Sequence, residues 1–275
     1  HHDARRQRQM CIRDSLTSLN VLDLRSNELT NIPISIGKLT SLDTMGLDNN
    51  KITNLPQSIG TLASLERFDC DRNKLTDFPE SIGDLSKLTR LSCENNHIAD
   101  IPNSIGKLAS LNILRLSSND LTRLPESIGN LTSLEVLDLD NNALSDIPES
   151  LGKLDKLINL SICDNQLKQL PKTIRKLSSL KSLCVCNNKL KSLPTSLGGL
   201  PSLTRLVLPN NELTRIPCSV GNLIALKHLD LRGNALTRVP QSLSKLSKLE
   251  ELYLIDSPVC RECVPEPLRA ITKFG

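Results

Sequence analysis

Leucines recur along this chain at one fixed interval. The step is 23 residues, without an insertion or a deletion, and it runs through Leu19, Leu42, Leu65, Leu88, Leu111, Leu134, Leu157, Leu180, Leu203, Leu226 and Leu249. A constant interval of this length is typical of repeat proteins, in which each unit buries its apolar face against its neighbours. The pattern therefore predicts about eleven repeats of 23 residues.

Asparagine and proline share the same interval. The asparagines, which we call the Asn ladder, are Asn27, Asn50, Asn73, Asn96, Asn119, Asn142, Asn165, Asn188, Asn211 and Asn234. The prolines are Pro33, Pro56, Pro79, Pro102, Pro125, Pro148, Pro171, Pro194, Pro217 and Pro240. One repeat, from Leu111 to Gly129, reads LNILRLSSNDLTRLPESIG.

Each part of this motif predicts an element. The alternation Leu-x-Leu is typical of a short strand with both leucines on one face, and equivalent strands are expected to pair in parallel, about 4.8 Å apart. The Asn side-chain amide is expected to satisfy backbone groups where the chain turns out of the strand. Proline suits the start of a short helical or 3-10 segment, and we expect the following Ser-Ile-Gly to end it with glycine in a left-handed cap.

The consensus LPxSIGxLxxLxxLxLxxNxL, over about residues 16–256, resembles the intracellular leucine-rich repeats of the Ras-group type. That group includes plant intracellular Ras-group-related proteins and the arrays of Scribble-like scaffolds and Roco proteins. The resemblance implies an α/β fold: a curved, horseshoe-shaped solenoid with a parallel β-sheet on the concave face and short helical or 3-10 segments on the convex face. It also implies a cytoplasmic protein-interaction scaffold, often in small-GTPase or polarity signalling. No segment after the array resembles a PDZ, GTPase or kinase domain, so no such activity is carried over.

The two ends depart from the motif. Residues 1–15 are basic and aperiodic, and we interpret them as a non-native or disordered leader resembling translated adaptor sequence. Residues 16–256 form the predicted array, and residues 257–275 a degenerate last repeat and C-terminal cap, in which Ser257 and Cys263 replace the ladder Asn and Pro. Because no comparable cap precedes Leu16, we expect the natural protein to begin upstream.

Composition narrows the classes of protein. Trp does not occur, Tyr occurs once and Phe three times, so Leu and Ile must fill the core. The sequence contains no apolar stretch long enough to predict a membrane span and no recognisable secretory signal. The net charge of +4 is too small to indicate nucleic acid, but it is unevenly distributed. Residues 16–150 hold 11 basic and 19 acidic side chains (−8), whereas residues 151–275 hold 19 and 9 (+10).

The residues between and just after the strand leucines are expected to line the concave face, free of the core pattern. The candidate partner-binding residues there are Asp23, Asp48, Arg67, Asp69, Asp71, Arg90, Glu94, Arg115, Asp138, Asp140, Arg205, His228, Asp230, Arg232 and Tyr253. The acidic first half predicts a protein partner with a basic patch, for which a small GTPase is one candidate. Alternatively, the charges only keep the solenoid soluble, or the basic second half contacts an acidic membrane surface. Nothing beyond charge supports nucleic-acid recognition.

The nine cysteines are interpreted as reduced thiols of a cytosolic protein. Cys70 and Cys93 occupy core positions and are expected to be small buried hydrophobes. Cys163, Cys184 and Cys186 are expected on the concave face as reduced thiols, with a redox or metal site as the alternative. The single Cys260–Cys263 pair, a CxxC motif, is interpreted as structural or incidental. We expect no metal site and no cofactor.

An enzyme is not expected, because the sequence offers no Gly-rich phosphate loop, HExxH motif or GxSxG motif. Three interpretations remain open. The first is a scaffold or adaptor in intracellular signalling, and the second is the recognition domain of a larger signalling enzyme (a kinase, a Roco GTPase or a ubiquitin ligase). The third is the ectodomain of an extracellular receptor.

Overall fold

The computed structural model describes residues 18–274, and within them the chain forms one parallel sheet of twelve strands. Strand order in space follows strand order in sequence. The strands are β1 Val21–Asp23, β2 Thr44–Gly46, β3 Arg67–Asp69, β4 Arg90–Ser92, β5 Ile113–Arg115, β6 Val136–Asp138, β7 Asn159–Ser161, β8 Ser182–Cys184, β9 Arg205–Val207, β10 His228–Asp230, β11 Glu251–Tyr253 and β12 Thr272–Lys273. From β1 to β11 each residue pairs with the residue one repeat later, as Leu114 does with Leu137. The predicted open, curved solenoid is thereby confirmed.

Short 3-10 segments form the convex side, opposite the sheet. They are Ile34–Lys38, Gln57–Thr61, Glu80–Asp84, Asn103–Lys107, Glu126–Asn130, Glu149–Lys153, Lys172–Lys176, Thr195–Gly199, Cys218–Asn222, Gln241–Lys245, Arg261–Cys263 and Glu266–Leu268. Each of the first ten begins directly after a proline of the repeat, whose extended backbone (φ −69°, ψ 148° at Pro125) sets the entry of the chain. The last two precede β12, which pairs with β11 through Leu252 and Thr272.

The core is one continuous stack of aliphatic side chains. In the fifth repeat Leu111, Leu114, Leu116, Leu121 and Ile128 all have 0% exposure, and the equivalent residues of the neighbouring repeats pack against them. The apolar side chains that one repeat buries do not offset the conformational entropy lost when its 23 residues are ordered. Contacts between neighbouring repeats must therefore stabilise the fold.

The Asn ladder joins successive repeats as well as shaping each turn. Asn119 donates from Nδ2 to the carbonyls of Leu116 (3.1 Å) and Ser117 (3.3 Å) in its own repeat, and to Cys93 in the preceding repeat (2.8 Å). Its Oδ1 accepts the N–H of Ile98, also in the preceding repeat, at 3.0 Å. One buried amide thus satisfies backbone groups on both sides of an inter-repeat junction, which explains why asparagine is needed here rather than any polar residue.

The expected left-handed glycine cap is wrong. The glycines that follow Ser-Ile have no positive φ; instead, the residue before each ladder Asn adopts the left-handed conformation, for example Ser118 at φ 56° and Gly233 at φ 61°. The Ser-Ile-Gly glycine serves close packing: a Cβ on Gly106 would lie 2.6 Å from the carbonyl oxygen of Ser127 in the next repeat. Glycine at this position therefore lets successive 3-10 segments approach each other closely.

The interpretation of the cysteines as reduced thiols is also wrong for six of them. The structure joins Cys70 to Cys93, Cys163 to Cys186 and Cys260 to Cys263 as disulfides. In each of the first two pairs, the two cysteines occupy the same position in adjacent repeats. Parallel pairing brings their Cα atoms to 4.8 Å for Cys70 and Cys93 and to 4.5 Å for Cys163 and Cys186, within the usual range for a disulfide. Cys184 and Cys218 are free thiols.

Candidate binding face

The concave face of the sheet carries the side chains that lie between and after the core residues of each strand. Because the strands pair in register, equivalent positions stack into columns, so that Asp69 lies beside Ser92, and Arg115 lies beside Asp138. Among the predicted site residues, those on β1–β6 form one group and those on β9–β11 a second. The strands β7 and β8, with the cysteine residues, lie between the two groups.

Two of the acidic residues in the first group are neutralised by arginines on the next strand. Asp69 accepts a hydrogen bond from Nε of Arg90 at 2.9 Å, and Glu94 faces Arg115 at 3.9 Å. At the outer edge Asp23 forms a bidentate pair with Arg25, and this pairing lowers the pKa of Asp23 to about 2. These ion pairs reduce the negative charge that the sequence alone assigns to the face.

Four other carboxylates have no cation within ion-pair distance among the described residues: Asp48, Asp71, Asp138 and Asp140. We call them the unpaired carboxylates. Arg67 beside them is exposed and forms no ion pair in the same described range. The first half of the face therefore presents acidic groups that form no ion pair within the described residues.

Three of these carboxylates also accept backbone hydrogen bonds from the next repeat. Asp48 accepts the N–H of Asp71 at 2.9 Å, Asp71 accepts the N–H of Glu94 at 2.7 Å, and Asp140 accepts the N–H of Cys163 at 2.6 Å. Sequence reasoning missed this structural role. Its signal was the recurrence of aspartate at one repeat position, directly after the last core residue of the strand.

Burial shifts the pKa of three carboxylates on this face. It raises the pKa of Asp48, Glu94 and Asp140 above the ordinary values of these residue types, and neighbouring carboxylates act in the same direction. Asp48, Asp71 and Glu94 lie together in an open depression of about 300 Å³, which Arg25 and Arg72 also line. The site is shallow and acidic, and it is suited to a complementary surface rather than to enclosing a small molecule.

The second group of predicted residues is largely engaged with itself. Arg232 donates to buried Asp230 at 2.6 Å and lies over the ring of Tyr253, with its guanidinium carbon 5.3 Å from the ring centroid. His228 contacts Glu251 through Nδ1 at 2.5 Å and packs against Tyr253. Arg205 is exposed and has no carboxylate partner within the described residues. Residues 18–274 contain no group of three or more metal-ligating side chains close enough to hold a metal ion.

The comparisons with known proteins agree with this fold. A family model described as leucine-rich repeat region matches residues 6–120 and 103–192, and one described as leucine rich repeat matches residues 201–257. The chain belongs to the leucine-rich-repeat proteins. A search of curated proteins finds no match.

Among solved structures, a leucine-rich-repeat protein of Leptospira interrogans is 29% identical (TM-score 0.61), with 94% of this chain and 81% of that chain covered. The ectodomain of the Arabidopsis thaliana receptor kinase GASSHO1/SCHENGEN3, in complex with CASPARIAN STRIP INTEGRITY FACTOR 2, is 37% identical (TM-score 0.75; 87% and 30% covered). The functional domain of InlJ from Listeria monocytogenes, which includes a cysteine ladder, is 27% identical (TM-score 0.77; 90% and 51% covered). This chain thus spans less than a third of the plant structure and about half of the Listeria structure.

Proteins of this family typically act as binding modules for other proteins and peptides. In the part of the chain that the structure describes, no helix has the length and apolar character needed to span a bilayer.

Proposed function

We propose that this array binds a protein partner on the first half of its concave face, and that a basic patch on the partner contacts the unpaired carboxylates. The observation that carries the proposal is the contrast within the face. Asp69 and Glu94 have arginine partners, whereas Asp48, Asp71, Asp138 and Asp140 have none in the described structure. A partner that supplies cations there would gain charge-assisted contacts without displacing an existing ion pair.

The role is that of a scaffold or adaptor rather than an enzyme. The acidic groups spread over the strands from β2 to β6 instead of meeting in a closed pocket, and an open, extended surface of this kind favours recognition of another macromolecule. A small GTPase in intracellular signalling remains the partner that the Ras-group resemblance favours, and the recognition domain of a larger signalling enzyme remains the alternative.

The test is affinity capture from the source organism with a variant that removes charge but keeps backbone hydrogen bonding. In Asp48→Asn/Asp71→Asn/Asp138→Asn/Asp140→Asn, the amide oxygen can still accept the N–H groups of the next repeat. The matched control removes four exposed carboxylates that lie in or just after the convex 3-10 segments and make no side-chain hydrogen bond in the described structure: Glu80→Gln/Glu126→Gln/Asp155→Asn/Glu266→Gln.

We expect the main partner to be captured by the wild type and by the control, and to be lost with the concave variant. Equal capture by all three proteins, each with an unchanged circular-dichroism spectrum, would contradict the proposal.

A second candidate, an extracellular peptide-recognition ectodomain, is favoured by the cysteines. Three disulfides are typical of oxidising compartments, and the similar plant ectodomain is bound to a peptide factor. Titration of thiols in denatured protein without reductant separates this location from the cytoplasm. Reaction of Cys184 and Cys218, but of none of the six paired cysteines, would support the extracellular candidate. Reaction of all nine would support the cytoplasmic one.

A further inference from the structure

A second surface runs along the side of the array where the chain passes from the sheet to the 3-10 segments. In each repeat it consists of the two exposed residues before the apolar residue–proline pair and the exposed residue after it. We call this surface, in repeats three to ten, the Leu-Pro edge; its segments are 76–80, 99–103, 122–126, 145–149, 168–172, 191–195, 214–218 and 237–241.

The edge is one continuous surface, distinct from the concave face. Arg215 and Arg238 line a groove of about 690 Å³ together with Thr195 and Cys218, over a floor that includes Ile216 and Val239. The equivalent positions of repeats three to five line a groove of about 400 Å³. Equivalent residues thus face the same way in both halves of the molecule.

The charges on this edge divide sharply between repeats six and seven. Repeats three to six carry six acidic residues and one basic residue, Arg123, a net charge of −5. Repeats seven to ten carry five basic residues and no acidic one, a net charge of +5. The acidic residues are Asp77, Glu80, Asp100, Glu126, Asp146 and Glu149, and the basic ones are Lys168, Lys172, Lys191, Arg215 and Arg238.

Few of these charges are neutralised within the chain. Arg123 pairs with Asp100 at 3.0 Å, and Glu149 accepts the backbone N–H of Thr173 at 3.0 Å. The other charged side chains of the edge have no ion-pair partner among the described residues. Both halves of the edge are therefore free to attract an opposite charge.

The two halves complement each other when the order of repeats is reversed. A two-fold axis between repeats six and seven sets Asp146 and Glu149 of one copy opposite Lys168 and Lys172 of the other. The same operation sets repeat five of one copy against repeat eight of the other, which brings Glu126 opposite Lys191. It sets repeat four against repeat nine, with Asp100 opposite Arg215, and repeat three against repeat ten, with Asp77 and Glu80 opposite Arg238. An axis along the radius of the curved array reverses the repeat order but preserves the curvature, so two arrays can lie edge to edge over this whole length.

We propose that two copies of this chain associate through their Leu-Pro edges in an antiparallel, two-fold symmetric dimer that leaves both concave faces open. Eight repeats at about 4.8 Å give a contact roughly 38 Å long. A contact that is long but narrow lies at the small end of specific interfaces, so the dimer is expected to be weak and sensitive to salt.

Sedimentation velocity of the full chain tests the proposal, in a Cys218→Ser background that removes the free thiol on this edge. We expect a concentration-dependent dimer at about 0.1 M salt and a monomer at about 1 M, since the screening length falls from about 10 Å to about 3 Å. A Cys218→Ser chain that stays monomeric at low salt overturns the proposal.

Charge-swap variants test the register. The acidic-side variant is Glu126→Lys/Asp146→Lys, and the basic-side variant is Lys168→Glu/Lys191→Glu; Glu149 is kept because it accepts backbone N–H groups. Each variant alone is expected to dimerise at least about tenfold more weakly, because like charges then face each other. An equimolar mixture is expected to recover the wild-type affinity, since every altered residue then meets an opposite charge. Unchanged dimerisation of either variant, or no recovery in the mixture, overturns the proposal. The unpaired carboxylates are intact in these variants, so this test is independent of the proposed partner binding.

Discussion

The backbone N–H of the next repeat is accepted by a side chain at one repeat position, both in repeats two and three and at the junction of repeats seven and eight, but the accepting group differs. At the concave position directly after the last core residue of the strand, Asp48 and Asp71 accept the backbone N–H of the next repeat. In repeat seven the same position holds Cys163, whose sulfur accepts the N–H of Cys186 at 3.2 Å and is also joined to it as a disulfide. One solution leaves negative charge on the face and the other leaves a neutral cross-link. The charge of the binding face is thus partly a by-product of how the scaffold satisfies its backbone.

The hydrophobic core should contribute equally to stability in both regions, and substitutions in it should have the largest expected effect on the free energy of unfolding. Leu65 in repeat three and Leu180 in repeat eight occupy equivalent positions with 0% exposure. Truncation of either to alanine should lower the free energy of unfolding by about 2–5 kcal/mol, measured by urea denaturation followed by circular dichroism. An unchanged transition in either variant would show that its side chain does not support the stack.

Sequence pattern alone predicted the strands, the 3-10 segments and the core, because each depends on residue types that recur at a fixed interval. It did not predict the disulfides, although the 23-residue interval places Cys163 and Cys186 on neighbouring strands, with Cα atoms 4.5 Å apart. Proximity alone does not decide whether two thiols are oxidised, because that depends on the redox compartment. The pattern also assigned the wrong reason to the repeat glycine, since close approach between neighbouring repeats leaves no mark within a single repeat.

Removal of the concave disulfide should give the next largest effect. Cys163→Ala/Cys186→Ala opens a cross-link between residues 23 apart, which the loop-entropy model values at about 3 kcal/mol. In reductant, which opens the disulfides of both proteins, the same urea titration should show little difference between wild type and variant. Equal stability of wild type and variant in oxidising buffer would mean that the cross-link does not contribute in the native protein.

The hydrogen bonds that the carboxylates accept should stabilise the fold less than the disulfide does, but by a measurable amount. Asp71→Ala leaves the N–H of Glu94 and the hydroxyl of Ser92 without their acceptor and should cost about 1–3 kcal/mol. Asp71→Asn keeps an acceptor and should cost less. Asp69→Ala, which removes only a half-exposed ion pair with Arg90, should cost about 1 kcal/mol or less. Thermal melts of the three variants that reverse this order would contradict the assigned backbone role.

The smallest expected effect is on the pH dependence of the free energy of unfolding. Burial raises the pKa of Asp140 above its ordinary value, although its bonds from Ser161 and Cys163 act in the opposite direction. The unfolded chain therefore loses this proton first as the pH rises. The contribution of Asp140 to stability is complete below the ordinary pKa of about 3.9 and declines up to the raised pKa of the folded state. Between pH about 7 and about 4, wild type should therefore gain stability relative to Asp140→Asn.

Asp23 provides the opposite sign, because its pairing with Arg25 lowers its pKa to about 2. Its contribution is present above the ordinary pKa and is lost as the pH falls towards about 2. Urea titrations between pH about 7 and about 2 should therefore show the stabilities of Asp140→Asn and Asp23→Asn diverging from that of wild type in opposite directions. Divergence in the same direction would contradict the assigned environments.

Hydrogen–deuterium exchange with the captured partner tests most directly whether the first half of the concave face is the partner site. We predict slower exchange on complex formation in β2–β6 and in the turns after them, which carry Asp48, Asp71, Asp138 and Asp140. The strands β9–β11 should remain unchanged and serve as the internal control. Protection confined to β9–β11, or to the convex segments, would place the partner elsewhere and contradict the account.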